Sequence, residues 1–152
     1  MNANQLNLLI IDTLSKFEKL YLTEAVNLLM GTAAQESHLG QYIQQLGSGP
    51  ALGIFQMEPA TFRDIIENYL YYKPALLSQV LKVCNVQHLE PECLKYNLRV
   101  AIVFCRLHYL RNPEKIPNTI EGMAKYWKKY YNTHLGKGTE QEFILNYRRL
   151  VV

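Results

Sequence analysis

The sequence predicts a mostly helical, single-domain protein over residues 1–152, with at most a small β-hairpin beside a cleft. Three observations carry this reading. Apolar residues recur at spacings of three and four through most of the chain, the period of one helix face. Hydrophobic residues make up 49% of the 152 residues and charged ones 19%, enough to bury one substantial core and unlike a disordered chain. Turn residues cluster between the periodic runs, at Gly47-Ser48-Gly49-Pro50, at Asn112-Pro113 with Pro117, and at Gly136 with Gly138. No internal repeat, low-complexity tract or linker divides the chain.

Residues Asn4 to Lys19 read as an amphipathic helix with Leu6, Leu9, Ile10, Thr13, Leu14 and Phe17 on one face. Thr23 is the expected N-cap of a second helix, with Glu24 in its first turn and an end near Gly40. After the glycine-rich turn, Leu52 to Met57 is expected as a short hairpin or an irregular loop. Pro59 and Thr61 open a third helix, faced by Phe62, Ile65, Ile66, Tyr69 and Leu70. Pro74 interrupts the next stretch, and a short helix is expected around Leu76 to Val83. Asn97 to Leu110 has few polar positions among Val100, Ala101, Phe104, Cys105, Leu107 and His108, which predicts a central buried helix. Asn118 with Glu121 resembles a capping box, opening a helix that carries Ile120, Met123, Ala124, Trp127 and Tyr131. Asn132, Gly136 and Gly138 end it. A last helix, Glu140 to Leu150, uses Phe143, Ile144, Tyr147 and Leu150.

The net charge of +3 suits an anionic polymer and is too small to argue for nucleic-acid binding. The start MNANQLNLLI lacks a basic region, and Asp12, Ser15 and Lys16 break the apolar pattern behind it, so no signal peptide is expected. No stretch is long and apolar enough to insert in a membrane. Cys84, Cys93 and Cys105 give an odd count, which fits synthesis in a reducing compartment better than a disulfide framework. Cys84, His88 and Cys93, with His108, match no standard zinc spacing, so neither a metal nor a cofactor is expected.

The chemistry concentrates between Gly31 and Pro59. In the second helix Ala25, Leu28, Leu29, Thr32 and Ala33 share one face, and Glu36 falls next in that series. A carboxyl on the buried face of a helix, close to its negative C-terminal end, has its ionised form disfavoured twice. Its pKa therefore rises, which suits a general acid working near neutral pH. Gln56 sits between apolar Phe55 and Met57, and alternation points it away from the core, toward a cleft. Gly53 fits a place of close backbone approach or positive φ.

Glu36-Ser37, then a glycine-containing turn, then Gly53-Ile54-Phe55-Gln56-Met57 with Pro59 and Thr61, resembles the lytic transglycosylase branch of the lysozyme superfamily. That family carries a Glu-Ser pair at a helix end, followed by Gly-Leu-Met-Gln-Ile-x-Pro-x-Thr. The resemblance is close from Ala34 to Thr61. It implies a lysozyme-like α+β fold acting on peptidoglycan glycan strands, with Glu36 as the one catalytic acid. Ser37 would hold the acid's helix end through backbone bonds, and Gln56 would hydrogen-bond sugar substituents or the acid. A family tyrosine that contacts the acid matches Ala124-Lys125-Tyr126-Trp127 by its alanine and tyrosine, and Tyr130-Tyr131-Asn132-Thr133 by Tyr-Asn at a helix end. Tyr126 is favoured over Tyr131. Two other readings stay open: hydrolysis on the same fold by a muramidase using Glu58 or Asp64, and a non-catalytic virion or wall-binding module. A small domain with no signal peptide suggests a phage product, either borne on the virion beside tail proteins or made in the host cytoplasm as an endolysin and released to the wall.

Overall fold

A computed structural model of the chain describes residues 1–133 and 136–152. It is mostly helical. Helices α1 (Ala3–Ser15), α2 (Thr23–Ser37), α3 (Pro59–Asn68), α4 (Pro74–Cys84), α5 (Cys93–Tyr96), α6 (Leu98–Leu110), α7 (Ile120–Trp127) and α8 (Glu140–Leu150) follow in chain order. A 3-10 turn at Leu70–Tyr72 joins α3 to α4, and a π-helical turn, Lys128–Asn132, continues α7. Among the described residues there is no sheet. Two isolated bridges, Gln44 to Leu52 and Leu52 to Met57, close the segment after α2 into a compact loop.

Two helices organise the packing. α6 is buried on nearly every side, from Val100 through Leu107 and at Tyr109, because α1, α2, α3, α4 and α5 all pack against it. Phe104 of α6 stacks on Phe62 of α3 with ring centroids 4.3 Å apart. α2 is the second hub, touching α1, α6, α7 and α8. The sequence periodicity marks a single face of α2, yet Val26, Met30, Gly31 and Ala34 are buried as well. Gly31 explains how: α8 crosses so close that a Cβ there would lie 2.4 Å from the Phe143 ring. Only a residue without a side chain lets the two helices meet at that distance.

Helix ends follow local chemistry, with three departures from expectation. Thr23 is the first helical residue of α2 rather than its cap; Leu22 stands at the cap position and makes no side-chain bond. Asn118 and Glu121 form no capping box. The chain enters α7 one residue later, where Thr119 accepts from the Gly122 N–H, and Glu121 instead pairs with Arg148 of α8. α1 stops at Ser15, short of Lys19, although Phe17 beyond it stays buried. α6 and α8 are capped as their residue types dictate. Asn97 caps α6 from the Val100 N–H at 3.1 Å and donates its amide to the Cys84 carbonyl, tying α4 to α6. Thr139 and Glu142 complete a capping box on α8.

Candidate functional site

The end of α2 delivers Glu36 to a cleft. His38, Leu39 and Gly40 follow with φ of 51°, 59° and 79°, a run of left-handed residues that stops the helix and turns the chain away. Ser37 ties this end down. Its hydroxyl donates to the Ile54 carbonyl at 2.6 Å and accepts from the Gly40 N–H at 2.8 Å, so one fully buried side chain joins the acid's helix to the loop of residues 53–57.

That loop is shaped by two left-handed residues. Gly53 has φ of 81°, and a Cβ there would lie 2.2 Å from the Leu94 carbonyl oxygen, so the position tolerates no side chain. Gln56 has φ of 49° and donates its amide to the Gly53 carbonyl at 2.9 Å, closing the turn on itself. Phe55 and Met57 are buried and Gln56 between them lines the cleft, although the left-handed turn, and not the strand alternation expected from the sequence, sets its direction. From the opposite side the Tyr131 hydroxyl donates to the Phe55 carbonyl at 2.6 Å, holding the same loop.

The cleft encloses about 740 Å³, within the usual range for small-molecule and oligomer sites. Glu36, Gln56, Met57, Glu58, Thr61, His108, Trp127 and Tyr131 are among the residues that line it. Thr133, Gly136, Lys137 and Gly138, beyond the π turn, form another wall. The Lys128 ammonium holds these residues, donating to the Asn132 side-chain oxygen at 2.6 Å and to the Gly136 and Gly138 carbonyls at 3.1 and 2.8 Å.

Among the described residues Glu36 has one side-chain partner in the cleft, the indole N–H of Trp127, which donates to Oε2 at 2.9 Å. Its backbone carbonyl accepts from the Tyr42 hydroxyl at 2.9 Å. Burial pushes the Glu36 pKa from 4.5 up to about 7, against a smaller downward pull from the indole N–H. Near neutral pH the group is therefore divided between acid and carboxylate, able to give a proton and take one back. His108 is driven the other way by burial, down to about 4, and is a neutral imidazole at pH 7.

The structure gathers Glu36, Gln56 and Tyr131 on the cleft and sets Ser37 and Gly53 behind its wall, as supports. Tyr126, the favoured tyrosine, is not on the cleft. Its hydroxyl donates to the Glu114 carbonyl at 2.9 Å, and its ring lies over Tyr109. Helix geometry explains the difference: Trp127 and Tyr131, four apart, share a face, and Tyr126 sits about 100° around from Trp127. Neither tyrosine hydroxyl bonds Glu36. The indole of Trp127 does, a contact not expected from the sequence, where Trp127 reads only as part of an apolar face. Its one sequence signal is being the sole tryptophan, placed four residues before Tyr131.

The two candidate second acids separate cleanly. Asp64 is held by Asn68 at 2.6 Å and by Arg111 at 2.8 Å; both bonds lower its pKa, and it does not line the cleft. Glu58 does line it, exposed, at the start of α3. Among the described residues no group of three or more His, Cys, Asp or Glu side chains is placed to hold a metal, and the three cysteines are free thiols. No helix there is long and apolar enough to cross a membrane. No protein-family model, curated protein or solved structure matches the chain.

Proposed function

We propose that the chain is a peptidoglycan lytic transglycosylase of lysozyme-like fold, serving phage cell-wall degradation. The observation that carries the reading is Glu36: a part-buried, desolvated carboxyl poised near neutrality, in a cleft, with no acid side chain among the described residues hydrogen-bonded to it. The sequence resemblance supplies the substrate, and the geometry supports the roles. Glu36 protonates the glycosidic oxygen between N-acetylmuramic acid and N-acetylglucosamine. The sugar's N-acetyl group stabilises the cation at the anomeric carbon. Glu36, now a carboxylate, takes the proton of the muramoyl 6-hydroxyl as that oxygen closes on the same carbon, giving a 1,6-anhydro ring without water. A pKa near 7 lets one residue act first as acid and then as base. Gln56, held by its own turn, is the sugar-contacting side chain, and Tyr131 fixes the loop that carries it.

Hydrolysis by a muramidase is the second reading, and the place of Glu58 on the cleft is the observation that favours it. Turnover of purified peptidoglycan separates these. Glu36→Gln is expected to lower it about 100- to 10,000-fold, the span of general acid–base catalysis. Glu58→Gln and Asp64→Asn are each expected to retain most of it. A well-folded Glu36→Gln protein with normal turnover would remove Glu36 from the mechanism, and loss of activity in Glu58→Gln would move the reaction to hydrolysis.

A further inference from the structure

We propose that Trp127 is a positioning residue whose indole N–H gives the two oxygens of Glu36 separate tasks, Oε2 as anchor and Oε1 as proton carrier. The inference rests on the general-acid reading above and adds a residue to it. An indole nitrogen donates and never accepts, so it must be met by a lone pair on Oε2. In the neutral acid the carbonyl-type oxygen is the better acceptor, and the bond to Oε2 therefore favours the proton on Oε1. Oε1 makes no hydrogen bond with the described residues. Because no buried side-chain oxygen among them lacks a partner, Oε1 is the oxygen that opens on the cleft.

The donor is held as firmly as the acid. Trp127 is fully buried, its ring tilted against Phe143 at 5.4 Å between centroids. Gly138 backs onto the indole so tightly that a Cβ there would come within 2.7 Å of it, and Lys128 donates to the Gly138 carbonyl at 2.8 Å. The N–H thus meets Oε2 without having to be ordered when substrate enters. Its bond strengthens when Glu36 ionises, since a carboxylate accepts better than a carboxylic acid. Burial disfavours the carboxylate and the indole supports it, so the two together leave an acid that can also serve as a base.

The ionisable surroundings make this readable. Tyr42 from the loop after α2, Cys105 and Tyr109 from α6, and Tyr131 from the π turn all have raised pKa values, chiefly from burial, and stay neutral at pH 7. His108 is neutral there too, and Glu58, Lys137 and Glu142 also line the cleft.

Trp127 is the only tryptophan, so its emission reports on Glu36 in the unaltered protein. The fluorescence of the wild-type chain is expected to titrate with a midpoint near 7, and Glu36→Gln to abolish that step. Emission that ignores Glu36 would overturn the proposal. The second arm replaces tryptophan throughout by 3-benzothienylalanine, which keeps the ring and puts sulfur in place of N–H, with Trp127→Phe as the encoded counterpart. The Glu36 carboxyl, followed by carbon-13 NMR and assigned with Glu36→Gln, is expected to titrate about one to two pH units higher in both. The base-side limb of kcat/KM on peptidoglycan is expected to rise with it, and kcat to fall with KM little changed. An unmoved Glu36 titration in a folded variant would reduce Trp127 to packing. A wild-type protein that cleaves no peptidoglycan would end the general-acid reading, while the titrations still decide whether the indole N–H governs Glu36.

Discussion

Removing the charge of Glu36 should stabilise the protein, by an amount that depends on pH in a defined way. An unfolded glutamate titrates near 4.5 and the folded one near 7, so the folded state holds its proton over a range where the unfolded state has lost it. The group carries no penalty below the lower value. Between the two, stability falls as pH rises, and above about 7 the whole penalty is present. At 1.36 kcal/mol per pH unit, that penalty amounts to about 3 kcal/mol. Glu36→Gln keeps the shape and one oxygen for the Trp127 N–H, and it has nothing to ionise. The variant should match the wild type near about pH 4 and exceed it by up to about 3 kcal/mol near about pH 8. In a domain of this size that is roughly 6 to 12 °C in melting temperature. Urea unfolding of both proteins at several pH values measures it, and the titrations of other groups cancel in the difference. A stability difference that stays flat with pH, or a variant weaker than wild type at high pH, would show that Glu36 is not a buried acid under strain. Loss of activity accompanied by gain of stability is the usual mark of a site whose geometry serves chemistry over folding.

Two further outcomes follow from the loop that carries Gln56. Tyr131→Phe removes the donor to the Phe55 carbonyl, so it should cost about 1 to 3 kcal/mol in urea unfolding and lower turnover; Tyr126→Phe, off the cleft, should leave turnover near normal. The reverse order of damage in kinetic assays would place the tyrosine contact on Tyr126. Gly53→Ala combines a positive φ with a Cβ 2.2 Å from the Leu94 oxygen, and should destabilise by about 2 to 4 kcal/mol. An unchanged denaturation midpoint would refute that account of the turn.

What the sequence reveals here tracks the range of the interactions involved. α8 was legible to the residue, Glu140–Leu150, because its apolar period lies within one short segment. The buried run of α6 and the place of Glu36 at the end of α2 are local patterns of the same sort. α5 is four residues long and shorter than any period that would reveal it. The π turn at Lys128–Asn132 leaves no mark in apolar spacing, since it differs from an α-turn only in which carbonyl each N–H reaches. The Trp127–Glu36 bond joins residues 91 apart. Periodicity gives the face on which Trp127 lies and says nothing of the side chain it will meet. The choice between Tyr126 and Tyr131 has the same origin, because the motif match fixes residue types while the helix rotation decides which tyrosine lines the cleft.

The central claim is the reaction itself, and the mass of its products tests it most directly. Peptidoglycan digested by the purified chain, separated and weighed by mass spectrometry, should yield muropeptides ending in 1,6-anhydro-muramic acid, each one water lighter than the hydrolytic product and without a reducing end. Products with free reducing muramic acid, formed by an enzyme that depends on Glu58 as well as Glu36, would contradict the proposed reaction.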